Sequence, residues 1–142
     1  MLLTLESRAK PNNGIEIPRL GLGVYQSPPG EITLRAVRYA LKIGYRHIDT
    51  AQLYGNESDV GRAVQESGIR REEIFITTKV WKSYQGNDST LRACEESLRR
   101  LGLSYIDLYP IHWLASRRVR RRDMESYDKV MASGQSPSNR SE

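Results

Sequence analysis

A single cysteine, Cys94, leaves no partner for a disulfide within the chain and suits a reducing, cytoplasmic compartment. Apolar runs are short everywhere. The opening MLLTLE meets Glu6 before it reaches the length of a secretory signal, and no run approaches the roughly 20 residues that cross a bilayer. Only two histidines occur, His47 and His112, and neither stands in a cysteine or carboxylate pattern, so no metal centre is expected. Gly21-Leu22-Gly23 lacks the third glycine and the downstream acid of a dinucleotide-binding fingerprint. Acidic residues are outnumbered, giving a net charge of +5, but the imbalance is local. Residues 1–113 hold 15 basic and 13 acidic side chains, whereas 114–142 hold 7 and 4, mostly through RRVRRR at 117–122. The chain reads as a nearly neutral, soluble body (1–113) followed by a basic segment (114–142).

What is present in the body is one alternating pattern. IPRLGLGVY (17–25) is a short apolar run ending in glycines, as a buried strand would. GEITLRAVRYALKIG (30–44) sets Ile32, Ala36, Val37, Ala40 and Leu41 at helical spacing before a glycine stop. YRHIDT (45–50) reads as the next strand, and NESDVGRAVQESG (56–68) as a helix with Val60, Ala63 and Val64 inward. EEIFITTKVW (72–81) is rich in β-branched and aromatic residues and predicts a third strand. DSTLRACEESLRRLG (88–102) predicts a helix capped by Asp88 or Ser89, with Leu91, Cys94, Leu98 and Leu101 on one face. SYIDLYPIHW (104–113) is a fourth strand. Consecutive βα units of about thirty residues imply an α/β fold with a parallel sheet. Ahead of them, the alternating segments around KPNNG predict an N-terminal β-hairpin. From residue 114 the periodicity stops, and the Ser/Gly/Pro/Asn-rich end reads as disordered or weakly helical.

In parallel α/β folds reactive groups gather at the carboxyl ends of the strands. Asp49 closes the second strand, Tyr54 follows in the next loop, Lys79 closes the third strand and His112 the fourth. Singly, each has a plainer use: Asp49 could cap a turn, Tyr54 anchor a loop, Lys79 snorkel and His112 satisfy a core contact. Together they make an acid site. A phenol gives up its proton more readily beside an ammonium, a carboxylate keeps that ammonium charged and placed, and a neutral imidazole orients a carbonyl oxygen.

GYRHIDTAQLYGNE, TTKVW and SYIDLYPIHW, in this order and spacing and together with GVY and the hairpin, resemble the aldo-keto reductases over residues 2–113. The resemblance implies a (β/α)8 (TIM) barrel and NADPH-dependent reduction of aldehydes or ketones to alcohols. It implies Tyr54 as proton donor, Lys79 and Asp49 as its tuners, and His112 as the group that orients substrate. It further implies a substrate pocket lined by Tyr25, Trp81 and Trp113 as well as His112. The cofactor would be bordered by Gly23, Val24, Tyr25 and Asp49.

A barrel of this type closes with eight strands in about 250 residues. Here four are recognisable, so an incomplete barrel with two open sheet edges is expected, and with it self-association through those edges. One alternative is an inactive fragment that acts only through such association. A weaker alternative is nucleic-acid binding by the 117–122 arginines, which no reading element accompanies. Pro110 stands where a paired strand needs an N–H donor, which puts the placing of His112 in question. Codons permitted for DMESYDKVMASGQ, read one base on, encode TWKAMIKLWQAG, an amphipathic stretch suited to the next helix of such a barrel. Residues from about 114 onward are therefore expected to be frame-shifted relative to the family, and the parent gene's nucleotides test this.

Overall fold

A computed structural model describes residues 4–12 and 14–114. The expectations for the basic segment beyond residue 114 lie outside the described residues. The chain opens with the antiparallel pair β1 (Arg8–Ala9) and β2 (Ile17–Pro18), the hairpin that KPNNG announces. Three parallel strands follow, β3 (Leu22–Gly23), β4 (His47–Asp49) and β5 (Phe75–Thr77), ordered β3-β4-β5. Between and after them run α1 (Glu31–Lys42), α2 (Glu57–Glu66) and α3 (Asn87–Leu101). The run 17–25, read as one strand, is thus divided. Its first residues belong to the hairpin and only Leu22–Gly23 join the parallel sheet.

Side chains alternate across the sheet as its pleat requires. Ile48, Ile74 and Ile76 point into a core with Val24, Leu34, Val37, Leu41, Val60, Ala63 and Val64. Each buried aliphatic side chain of this kind contributes about 1.5–3 kcal/mol. His47, Asp49, Thr77 and Lys79 take the opposite face, where His47 Nε2 and Thr77 Oγ1 lie 2.9 Å apart. One face of the sheet is therefore covered by helices and the other carries the polar groups.

The inward stripe of α1 differs from the one expected. Thr33, Leu34, Val37, Ala40 and Leu41 are buried, while Ile32 and Ala36 are exposed. The helix carries two apolar stripes, and periodicity alone does not tell which one meets the sheet. At the other interface α2 meets α3 at a glycine: a Cβ on Gly61 would overlap the Leu101 carbonyl, so the two backbones touch directly. The α3 cap also differs from expectation. Gly86 holds the N-cap position, and its carbonyl accepts the Thr90 N–H at 2.8 Å.

The fourth strand is present as two parallel bridges, Thr77↔Leu108 and Val80↔Ile111. The bonds explain why it is broken. Leu108 N–H donates to Ile76 O at 3.1 Å, Thr78 N–H to Leu108 O at 3.2 Å, Val80 N–H to Pro110 O at 3.0 Å and His112 N–H to Val80 O at 3.0 Å. The rung between the second and third of these is the one residue 110 would donate to the Thr78 carbonyl, and proline has no hydrogen to give. The register survives on either side of the gap. Pro110 costs one rung without displacing His112.

Candidate active site

β4 ends at Asp49 and the chain turns at once through a single 3-10 turn, Gln52–Tyr54, closed by Gly55. Gly55 adopts a left-handed conformation (φ 68°) that a side chain would disfavour, which fixes where the loop turns after Tyr54. Lys79 lies two residues beyond β5, and its ammonium donates to Asp49 Oδ1 and, at 3.0 Å, to the Thr50 carbonyl. The same nitrogen stands 5.4 Å from the centre of the Tyr54 ring. Acid, ammonium and phenol therefore meet at one end of two neighbouring strands.

Aromatic rings extend the cluster. Tyr54 meets His112 edge-on with centroids 5.5 Å apart, and Trp81 also meets His112 edge-on at 5.4 Å. Tyr25 tilts against Tyr54 at 5.1 Å. Burial holds the His112 imidazole below its ordinary pKa, and the Lys79 charge adds to this, while Asp49 opposes it. His112 is therefore neutral at pH 7, and its buried Nδ1 has no hydrogen-bond partner among the described residues. His47, on the same face of the sheet, is also held below the ordinary imidazole value, chiefly by burial.

Six of the residues singled out from the sequence thus converge: Tyr25, Asp49, Tyr54, Lys79, Trp81 and His112. Trp113 does not join the ring cluster. Its side chain is exposed, and its carbonyl accepts a bond from Gln85 Nε2. Gly23 pairs with Asp49 in register and is open to solvent, since a Cβ there would meet nothing within 4 Å. The Val24 side chain lies in the core behind the site, and its N–H is spent on the Asp49 carbonyl at 3.0 Å. Among the described residues no group of three or more His, Cys, Asp or Glu side chains is placed to hold a metal ion.

Two residues of the site were read from the sequence only as the head of a helix. Asn56 is fully buried; its amide donates to Val24 O at 3.0 Å and Ser27 O at 3.1 Å and accepts the Thr50 hydroxyl at 2.8 Å. It ties the Tyr25 loop to the Tyr54 loop. Glu57, 1% exposed, accepts from the Thr78 hydroxyl at 2.5 Å and from Arg100 Nε at 2.5 Å. It joins α2 and α3 to the residue beside Lys79. The available signal was GNE directly after Tyr54, two polar residues behind a glycine where the helix start needs only one.

The sequence profile of the aldo/keto reductase family matches residues 19–134. Glyoxal reductase of Bacillus subtilis is 50% identical over 113 residues, which make up 80% of this chain and 41% of that protein. The crystal structure of an aldo/keto reductase from Brucella melitensis superposes with a TM-score of 0.86 at 47% identity, covering 95% of this chain and 51% of the other. A Bombyx mori aldo-keto reductase solved in complex with NADP superposes at 0.80 with 34% identity, covering 91% of this chain and 48% of its own. The chain spans less than half the length of the curated relatives it matches and about half that of the solved chains. Its strands and helices are accordingly the first part of a (β/α)8 barrel, and the chain belongs to the aldo/keto reductase family.

Proposed function

We propose that this chain carries the proton-transfer half of a carbonyl reductase site, with Tyr54 as the acid. The observation that supports it most is the Lys79 ammonium, fixed by Asp49 and the Thr50 carbonyl and lying 5.4 Å from the Tyr54 ring. A positive charge held there favours loss of the phenolic proton to a carbonyl oxygen and stabilises the anion that remains. Neutral His112, edge-on to the same ring, orients that oxygen by a hydrogen bond. Tyr25 and Trp81 supply apolar walls, and Trp113, next in sequence to His112, offers a further exposed ring.

The site fits a nicotinamide cofactor on its open side. Gly23 presents bare backbone beside Asp49, and Tyr25 offers an exposed ring face. NADPH, when bound, supplies the hydride for the carbonyl carbon. Asp49, Gly23, Val24 and Tyr25 would border it. The substrate class is a small aldehyde or ketone. The buried, disulfide-free Cys94, its thiol pushed up to about 11 by burial, accords with a cytoplasmic protein.

The test is NADPH oxidation by the full chain with a short aldehyde. Turnover is expected to fall by about 100-fold or more in Tyr54→Phe; turnover left intact by that change would remove Tyr54 from the chemistry. The competing reading is a chain that binds no NADPH and turns nothing over. Saturable quenching of Trp81 and Trp113 fluorescence by NADPH separates the two, because the second reading forbids it.

A further inference from the structure

Glu57 is a buried carboxylate that proton transfer to a carbonyl leaves unused. It heads α2, yet both its oxygens bond to other elements, one accepting the Thr78 hydroxyl and the other Arg100 Nε. Arg100 is held in turn from α3, where its Nη2 donates to Ser97 Oγ at 3.1 Å and its Nη1 lies 3.8 Å from Glu96 Oε2. An ion pair taken out of water adds little net stability, and α2 and α3 already meet through Gly61 and Leu101. Its use is therefore read from what it holds, which is Thr78.

Thr78 is completely buried on the helix side of the sheet, while its neighbour Lys79 takes the other face. Its N–H donates to Leu108 O at 3.2 Å, but the rung its carbonyl would take from residue 110 is the one proline withholds. On the β4 side the Lys79 carbonyl accepts the Gln52 N–H at 3.3 Å. Toward the last strand, residue 78 has one rung where an intact ladder gives two. The bond from the Thr78 hydroxyl to the Glu57 carboxylate supplies the second hold, and a charged acceptor makes it a strong one.

We infer that Glu57 is a positioning residue for Lys79, a role that rests on the part proposed above for that ammonium. Through the Thr78 hydroxyl it stands in for the rung that Pro110 withholds, and so fixes how far the ammonium reaches toward Asp49 and Tyr54. Neighbouring side chains of a strand point to opposite faces, so a hold on Thr78 from the helix layer sets the depth of Lys79 on the other side. One helix head thereby aligns three strand ends. Asn56 ties the loops after β3 and β4, and Glu57 ties the residues after β5.

The test is the rate at which Lys79 of the full chain is acetylated by an N-hydroxysuccinimide ester, read by peptide mass spectrometry against exposed Lys42 in the same sample. Thr78→Val removes the hydroxyl and keeps the shape. It should speed acetylation of Lys79 about fivefold, as the loss of one hydrogen bond would, and Thr78→Ser should restore the wild-type rate. Glu57→Leu should match Thr78→Val, and the two together should add nothing. In the Pro110→Leu background, where the rung returns, the gain from Thr78→Val should shrink. Buried Cys94 should stay slow toward a thiol reagent throughout. Lys79 rates indifferent to Thr78→Val, additive gains, a gain undiminished by Pro110→Leu, or an equal acceleration at Cys94 would each overturn the inference. None of these rates needs turnover. Turnover left intact by Tyr54→Phe would strike the function proposed for the site without touching them, and indifferent rates would strike the inference without touching that function.

Discussion

Asp49 and His112 stand at the same rim of one sheet but are held very differently. β4 is paired on both sides, with β3 and β5, and Asp49 closes it in unbroken register with Gly23 and Thr77. His112 ends a strand that pairs on one side only among the described residues, through two bridges separated by a missing rung. Behind β4 lies the larger core under α1 and α2; behind the last strand lies a small cluster of Val80, Ala93, Cys94, Leu98 and Tyr109. The groups proposed to deliver and stabilise the proton are thus built into the firmer part. The imidazole proposed to orient substrate sits on the looser one. The two regions are joined by Lys79 and Val80, one bonding back to Asp49 and the other forward to His112.

That contrast can be broken most strongly at the seam between α2 and α3. Gly61→Ala forces the two backbones apart and is expected to cost about 3 kcal/mol, read as a lowered midpoint in chemical denaturation. Because α3 covers the last strand, amide exchange should rise more at 108–112 than at 47–50. Equal rises at both would mean that the two regions unfold as one. Asn56→Ala attacks the firm part instead. It strips the Val24 and Ser27 carbonyls and the Thr50 hydroxyl of a buried partner, for an expected loss of about 2 kcal/mol. The Tyr25 loop should then become protease-sensitive while the 108–112 segment does not.

Pro110→Leu sharpens the contrast from the other side. An N–H restored opposite the Thr78 carbonyl should stabilise the chain by about 1 kcal/mol and slow amide exchange at His112. Destabilisation would show that proline's stiffness outweighs the lost rung. The smallest expected effect is on pH. His47 and His112 are both held below the ordinary imidazole value of 6.5, chiefly by burial, so the unfolded chain binds protons more readily than the folded one. Their contribution is present above about pH 6.5 and fades as pH falls below it. His112→Gln should flatten that part of a stability–pH curve, and a curve unchanged by it would leave His47 as its source.

Much of the architecture was legible because its signals are local. Period-two and period-3.6 patterns marked the hairpin, the parallel strands and the three helices, and strand ends marked Asp49, Lys79 and His112. Asn56 and Glu57 escaped because their role is long-range: their partners Val24, Arg100 and Thr78 lie 21 to 43 residues away in sequence. The α1 stripe was misassigned for a related reason, since Ile32 and Leu34 are equally apolar and only the sheet beneath chooses between them.

The order of residues by itself determined a run of βα units, the family, and the four side chains able to handle a proton, because chemical type and spacing are written in the chain. Only the tertiary structure decided that an ammonium would lie against a phenol across two strands. It also decided that Pro110 would leave His112 in register, and which apolar stripe of α1 would meet the sheet. These depend on backbone bonds and packing between residues far apart in sequence, which no local pattern records.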